Sequence, residues 1–182
     1  MKKVLVLVLV LGLASLANAM TLQISVDGNL NPVDSQIVLL PSQTAVLNIH
    51  SADGFTPGSG VYFGLVCDPA FGTISGGVVH MPPAPDASML LPATDMASYF
   101  PGSGIYGSID SWAGSGGATA GTYFDGITFH CEKIGDAVIV LYSTDFAGAP
   151  VELDRVTIHQ VPEPASMLLL SLGGLLLRRF KK

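Results

Sequence analysis

Between residues 20 and 160 the apolar residues fall in short runs of period two, cut by turn residues. No run holds a helical period for more than a turn or two, so the segment can bury its apolar side chains only as half-buried strands. Leu22, Ile24 and Val26 alternate with polar neighbours before Asp27-Gly28-Asn29 turns the chain. Ile37 to Leu40 is a second run, stopped by Pro41, and Ala45, Leu47 and Ile49 alternate up to Asp53-Gly54. Val61 to Cys67 is dense in β-formers and closes on Asp68-Pro69, with Val78 to His80 extended beyond it. Gly126 to Glu132, Ala137 to Tyr142 and Val151 to His159 complete the set. Short strands with turn signals at intervals of roughly 8–15 residues predict an all-β fold, an antiparallel β-sandwich.

Residues 81–121 interrupt this rhythm. Pro82, Pro83, Pro85, Pro92 and Pro101 precede a Gly/Ser/Ala-rich stretch around Trp112, which reads as a long surface excursion with a short helical turn near Asp95 to Tyr99. Tyr99, Phe100, Tyr106, Trp112, Tyr123 and Phe124 lie in or beside it. Such rings either fold back over an edge of the sandwich or stand out as rigid platforms for a sugar face or a partner. On the second reading Tyr106 and Trp112 are the ligand contacts and an extracellular polysaccharide is the partner.

Both ends read as targeting segments. Lys2 and Lys3 precede the apolar run Val4 to Leu13, and Ala17-Asn18-Ala19 supplies a small-x-small pattern. Residues 1–19 therefore read as a signal peptide cut by signal peptidase between Ala19 and Met20. At the other end, Ala165 to Leu177 is a run of 13 uncharged residues. As a helix this spans about 20 Å, short of the roughly 30 Å bilayer core. Arg178, Arg179, Lys181 and Lys182 can snorkel to the headgroups, and they mark the C-terminal side as cytoplasmic. The domain plan is thus a signal peptide (1–19), a sandwich domain (20–160) and a C-terminal segment (161–182) with a membrane helix over 165–177.

With both ends removed, residues 20–161 keep only Lys133 and Arg155 against 13 acidic residues, a net charge of −11. A field of that sign opposes nucleic acid and anionic lipid and favours solubility. Two cysteines suit one bridge in an oxidising compartment. Cys67 and Cys131 would close a loop of roughly 65 residues, worth about 4 kcal/mol on the entropic account; the alternative is two buried free thiols.

Pro162-Glu163-Pro164, the short apolar helix and the basic end with Arg178 and Arg179 follow one another without a gap. The arrangement resembles the PEP-CTERM sorting signal of exported bacterial proteins. That resemblance implies recognition at Pro162, Glu163 and Pro164 and cutting nearby by a membrane-embedded exosortase. The membrane insertion is then transient, and the product is left at the cell surface or in an extracellular matrix.

The body carries a fainter resemblance to cohesin-like sandwich domains. It rests on Leu40-Pro-Ser-Gln-Thr-Ala-Val-Leu-Asn-Ile49, on Val61-Tyr-Phe-Gly-Leu-Val-Cys-Asp-Pro69, and on Gly126 to Leu141 as paired closing strands. Cys67 stands where that family has an aromatic, and Ser42-Gln43 lacks the glycine of its turn. The resemblance implies a cohesin or jelly-roll-like sandwich and carries no partner-binding residue with it.

Catalytic and metal signatures are thin. Asp27 to Asp34 places side-chain oxygens at alternate positions, as calcium loops do. Pro32 replaces the glycine such loops need and Val38 the bidentate Glu, so a turn is the better reading. A cluster involving Asp53, Asp125 or Asp136 is left open by spacing alone. His50, His80, His130 and His159 lack the close pairing of zinc motifs. His130, alternating with Phe129 and Cys131, is expected on an exposed face. No Gly-x-Ser-x-Gly elbow occurs. The expectation is a non-enzymatic surface or matrix protein without metal or cofactor, structural or adhesive, with a carbohydrate-binding module as the alternative.

Overall fold

The computed structural model describes residues 22–54, 60–80, 87–110 and 120–162. The signal peptide with its Ala19–Met20 cut, Trp112, and the sorting residues Glu163, Pro164, Arg178 and Arg179 lie outside them, as does the 165–177 helix.

The described residues form ten strands: β1 (Leu22–Val26), β2 (Val38–Leu39), β3 (Thr44–Ser51), β4 (Gly60–Cys67), β5 (Gly72–Val79), β6 (Ala87–Leu91), β7 (Ser103–Asp110), β8 (Gly121–Cys131), β9 (Gly135–Thr144) and β10 (Val151–Gln160). One sheet has the order β1-β3-β8-β5 and the other β2-β10-β9-β4-β7-β6. Every pairing is antiparallel except the short parallel contact of β2 with β10. The expected antiparallel sandwich is the fold.

Alternation builds its core. Leu22, Ile24 and Val26 of β1 and Ala45, Leu47 and Ile49 of β3 face Phe63 and Leu65 of β4, Ile139 and Leu141 of β9, and Val156 and Ile158 of β10, all buried in one cluster. Phe63 and Phe124 meet across the gap, ring centroids 4.8 Å apart at 63°. Each large side chain so enclosed stabilises by roughly 1.5–3 kcal/mol.

One glycine sets which residues of β8 face inward. Gly126 adopts φ +64°, and three residues of β8 span two of β3 between the Leu47–Ile127 and Ile49–Phe124 pairs. The extra residue is a β-bulge, and it resets the period of two. Phe124 therefore enters the core, while Asp125, which an unbroken alternation from Ile127 would bury, stands at the surface. The Asn48 carboxamide oxygen accepts the Gly126 N–H at 3.1 Å and holds the bulge.

The excursion over residues 81–121 is corrected in its middle. Its residues 87–91 and 103–110 are β6 and β7, integral to the larger sheet, with Ile109 fully buried. The helical turn is there, as a single turn at Ala93–Met96 continued by a 3-10 turn at Ala97–Tyr99. It lies on the outer face of the larger sheet, where Met96 and Phe100 cover Val66 and Tyr106 in a second, smaller core. Gly64 makes room for this cap, since a Cβ there would lie 2.7 Å from Phe100 Cγ.

Candidate functional site

The outer face of the larger sheet carries the only aromatic cluster that stays open to solvent among the described residues. Tyr62 projects from β4, Tyr99 from the 3-10 turn and Phe146 from the β9–β10 connection. The Phe146 ring centroid is 4.6 Å from that of Tyr62 and 4.8 Å from that of Tyr99. The three side chains retain 37%, 43% and 41% of their exposure (Tyr62, Tyr99, Phe146) despite these contacts. Of the described aromatics in or beside the excursion, only Tyr99 belongs to this group.

Tyr106 is corrected: it is not a ligand contact. It is 2% exposed and stacked at 5.6 Å under Phe100, so the cap that covers the sheet removes it from any ligand. Burial also pushes its phenol pKa upward, partly offset by a hydrogen bond with the Gly104 backbone. Trp112 lies outside the described residues. Tyr123 and Phe124 are both buried in the main core. Most of the described rings thus fold back onto the sandwich.

Cys67 and Cys131 are corrected as well: both are free thiols. Cys67 Sγ donates to the Gly72 carbonyl at 3.3 Å, and Cys131 Sγ to Gln160 Oε1 at 2.7 Å. They sit in different sheets, each buried with its own acceptor, and act as small core residues. Burial, with Asp68 beside it, pushes the Cys67 thiol up to about 11, and burial raises Cys131 too. A thiol so protonated is a poor nucleophile at neutral pH.

The histidines separate into three environments. His80 Nδ1 lies 3.0 Å from Asp125 Oδ2, across the bulge that turned that carboxylate outward. His159 Nδ1 lies 2.8 Å from Asp136 Oδ1, its register partner on β9. His130 is half-buried on the face opposite Phe129 and Cys131. His50 is buried, and its Nδ1 has no partner. Desolvation lowers its pKa, with Asp154 pulling the other way.

In the Asp27–Asp34 segment, Asp27 and Asn29 spend side-chain oxygens on backbone N–H groups, one on β3 and one within the segment. Asp27 Oδ1 accepts from Val46 N at 2.9 Å, and Asn29 Oδ1 from Asn31 N at 3.1 Å. A hollow of about 220 Å³ lies beside Asp27, Pro32 and Gln36, and another of about 370 Å³ beside Asp68, Pro101 and Tyr142. The carboxylate of the second is likewise committed, Asp68 Oδ1 accepting from Ala70 N at 2.8 Å. Among the described residues no three His, Cys, Asp or Glu side chains group closely enough to hold a metal ion. Both cations of the body are also engaged: Arg155 forks onto Glu152 through two 2.7 Å bonds, and Lys133 Nζ stands 5.4 Å over the Phe71 ring. The Arg155 fork holds the Glu152 carboxyl below its usual pKa range.

The end of β10 is held by β2. His159 N donates to Ile37 O and Val161 N to Leu39 O, both at 2.9 Å, so β2 holds the end of β10 as far as the residue before Pro162. Residues 160–182 match the PEP-CTERM protein-sorting motif. A β-sandwich therefore runs, with no spacer, into a protein-sorting signal. No curated protein matches the sequence. Among solved structures, the sandwich is similar to the sixth cohesin of scaffoldin B from Acetivibrio cellulolyticus, at 12% identity and a TM-score of 0.46, covering 78% of this chain and 99% of that one. It is also similar to a cohesin module of a family 33 glycoside hydrolase from Clostridium perfringens, at 6% identity and a TM-score of 0.46, covering 80% and 100%. Among the described residues no helix is long and apolar enough to cross a membrane.

Proposed function

We propose that this chain is an exported, non-enzymatic surface or extracellular-matrix protein, sorted by its C-terminal signal and acting through its sandwich in a structural or adhesive role. Signal peptidase removes residues 1–19 between Ala19 and Met20. The 165–177 helix holds the chain in the membrane for a time, and an exosortase then recognises Pro162, Glu163 and Pro164, with Arg178 and Arg179 on the cytoplasmic side. The delivered product is the sandwich over 20–160. The sorting motif at residues 160–182 carries this reading. The hydrogen bond from Val161 N to Leu39 O supports it, because a cut beyond that point leaves every strand intact.

The composition suits the destination. A body of net charge −11 with both cations engaged stays soluble and repels its own copies. The experiment is fractionation of cells expressing the full-length chain, beside a variant with Pro162→Ala and Pro164→Ala. The wild type is expected in the surface or matrix fraction, and the variant in the membrane fraction at its unprocessed mass. Recovery of the wild type in the cytoplasm would reject the reading.

A further inference from the structure

Phe146 is a bulky residue at φ +64°, a conformation that side chains of its kind rarely adopt and that costs free energy. Two local bonds impose it. Phe146 N donates to Thr144 Oγ1 at 3.0 Å, and Ala147 N to Asp145 Oδ1 at 3.0 Å. The ring of this strained residue remains 41% exposed, leaning on two other exposed rings, and the three together form an open aromatic surface.

From this surface we infer that Tyr62, Tyr99 and Phe146 bind the apolar faces of neutral sugar rings in a polysaccharide. A pyranose presents C–H groups on its faces and hydroxyls around its rim. Three mutually inclined rings supply apolar area for the faces at low entropic cost. The Tyr62 and Tyr99 phenols, which have no hydrogen-bond partner among the described residues, can each donate to and accept from the rim. Along the sheet the open surface stops at Ser108, the register partner of Tyr62 on β7, which is buried.

The body's −11, or −6 with both ends in place, disfavours anionic polysaccharides and a second copy of the chain, whereas a neutral glycan meets neither penalty. The inference rests on the adhesive reading above and gives that role a contact surface.

The test is affinity electrophoresis of the full-length chain in detergent. The gels contain dextran, hydroxyethylcellulose, galactomannan or xylan, with polygalacturonate as the anionic control and polylysine as the cationic one. Retardation by at least one neutral glycan and none by polygalacturonate is expected. Tyr62→Ala and Phe146→Gly should each weaken it about tenfold, the effect of one lost aromatic contact. Phe146→Gly also relieves the left-handed turn, so its melting temperature should not fall with its binding. Migration unchanged by every neutral glycan, equal retardation of the variants, retention by polylysine alone, or a dimer in place of a sugar complex would each overturn the inference. Delivery is judged separately, by whether the wild type reaches the surface fraction, so sugar binding without delivery, or delivery without sugar binding, tells the two failures apart.

Discussion

Asp154 Oδ2 accepts the backbone N–H of Ile24 at 2.7 Å, joining the last strand of the larger sheet to the edge strand of the smaller one. Ile24 sits on β1, which pairs only with β3, so this N–H belongs to a free sheet edge. The irregularity between Glu152 and Asp154 in the β9–β10 register lets the carboxylate reach across. The other oxygen accepts the Arg155 N–H at 2.8 Å and fixes its direction.

Removing that carboxylate should open one side of the sandwich. Asp154→Ala is expected to cost about 2 kcal/mol, the scale of a hydrogen bond to a charged group. Urea unfolding measures it, and Asp154→Asn, which keeps an acceptor, should lose less. A midpoint shift too small to resolve would show that the cross-sheet bond contributes nothing net.

Two glycines should respond differently to alanine. At Gly126 a Cβ meets nothing within 4 Å, so the substitution carries only the cost of a left-handed alanine, about 1 kcal/mol. At Gly64 the Cβ runs into the Phe100 ring, and overpacking there should cost roughly 1–3 kcal/mol. Combining Gly64→Ala with Phe100→Leu should recover part of that loss, as a double-mutant cycle reports. Strict additivity would contradict the contact.

His50 makes stability depend on pH with a definite sign. Its folded pKa is lowered chiefly by desolvation, against the opposing pull of Asp154. Between the folded and unfolded values the unfolded chain binds the extra proton. Stability is therefore full above the unfolded value of about 6.5 and falls as pH drops through it. Unfolding midpoints at pH 7.5 and 5.5 should differ less in His50→Gln than in the wild type. An equal difference would remove His50 from the account.

The thiols give a chemical check. Cys67, with its pKa pushed up to about 11, and the buried Cys131 should resist iodoacetamide in the native protein at neutral pH. Both should be alkylated in denaturant without any reductant. A need for reductant would mean that the two residues are bridged.

The legible part of the fold was its alternating strands. β1, β3, β8 and β10 show period-two apolar residues, and β4 and β9 read as nearly continuous runs of β-formers, Val61 to Cys67 and Ala137 to Tyr142. β7 was hidden by its glycines, which read as turn signals but answer to crowding. A Cβ on Gly107 would lie 2.6 Å from Phe63 Cζ, and one on Gly104 would fall on the Leu65 carbonyl. β5 was half hidden for a similar reason, with Gly72 pressed against the Phe129 ring. Tyr106 alternates onto an outer face, and nothing in its own strand signals that Phe100 closes over it. Cysteine count and compartment point to a bridge, whereas the acceptors that occupy both thiols come from Gly72 and Gln160 on other strands.

The exposed triad is not legible in the sequence: Tyr99 is one of six aromatics in or beside the excursion, the expected contacts are Tyr106 and Trp112, and Tyr62 and Phe146 carry no signal of their own. What the sequence could not supply was the convergence of a strand, a 3-10 turn and a hairpin connection on one spot.

The central claim is that a sandwich folded through Val161 is delivered by the signal that begins where it ends. The most direct measurement is the intact mass of the protein recovered from the surface or matrix of cells expressing the full chain. The account predicts a product starting at Met20 and ending near Pro162 to Pro164, without Arg178 to Lys182. A recovered product that still carries Arg178 and Arg179 would contradict it.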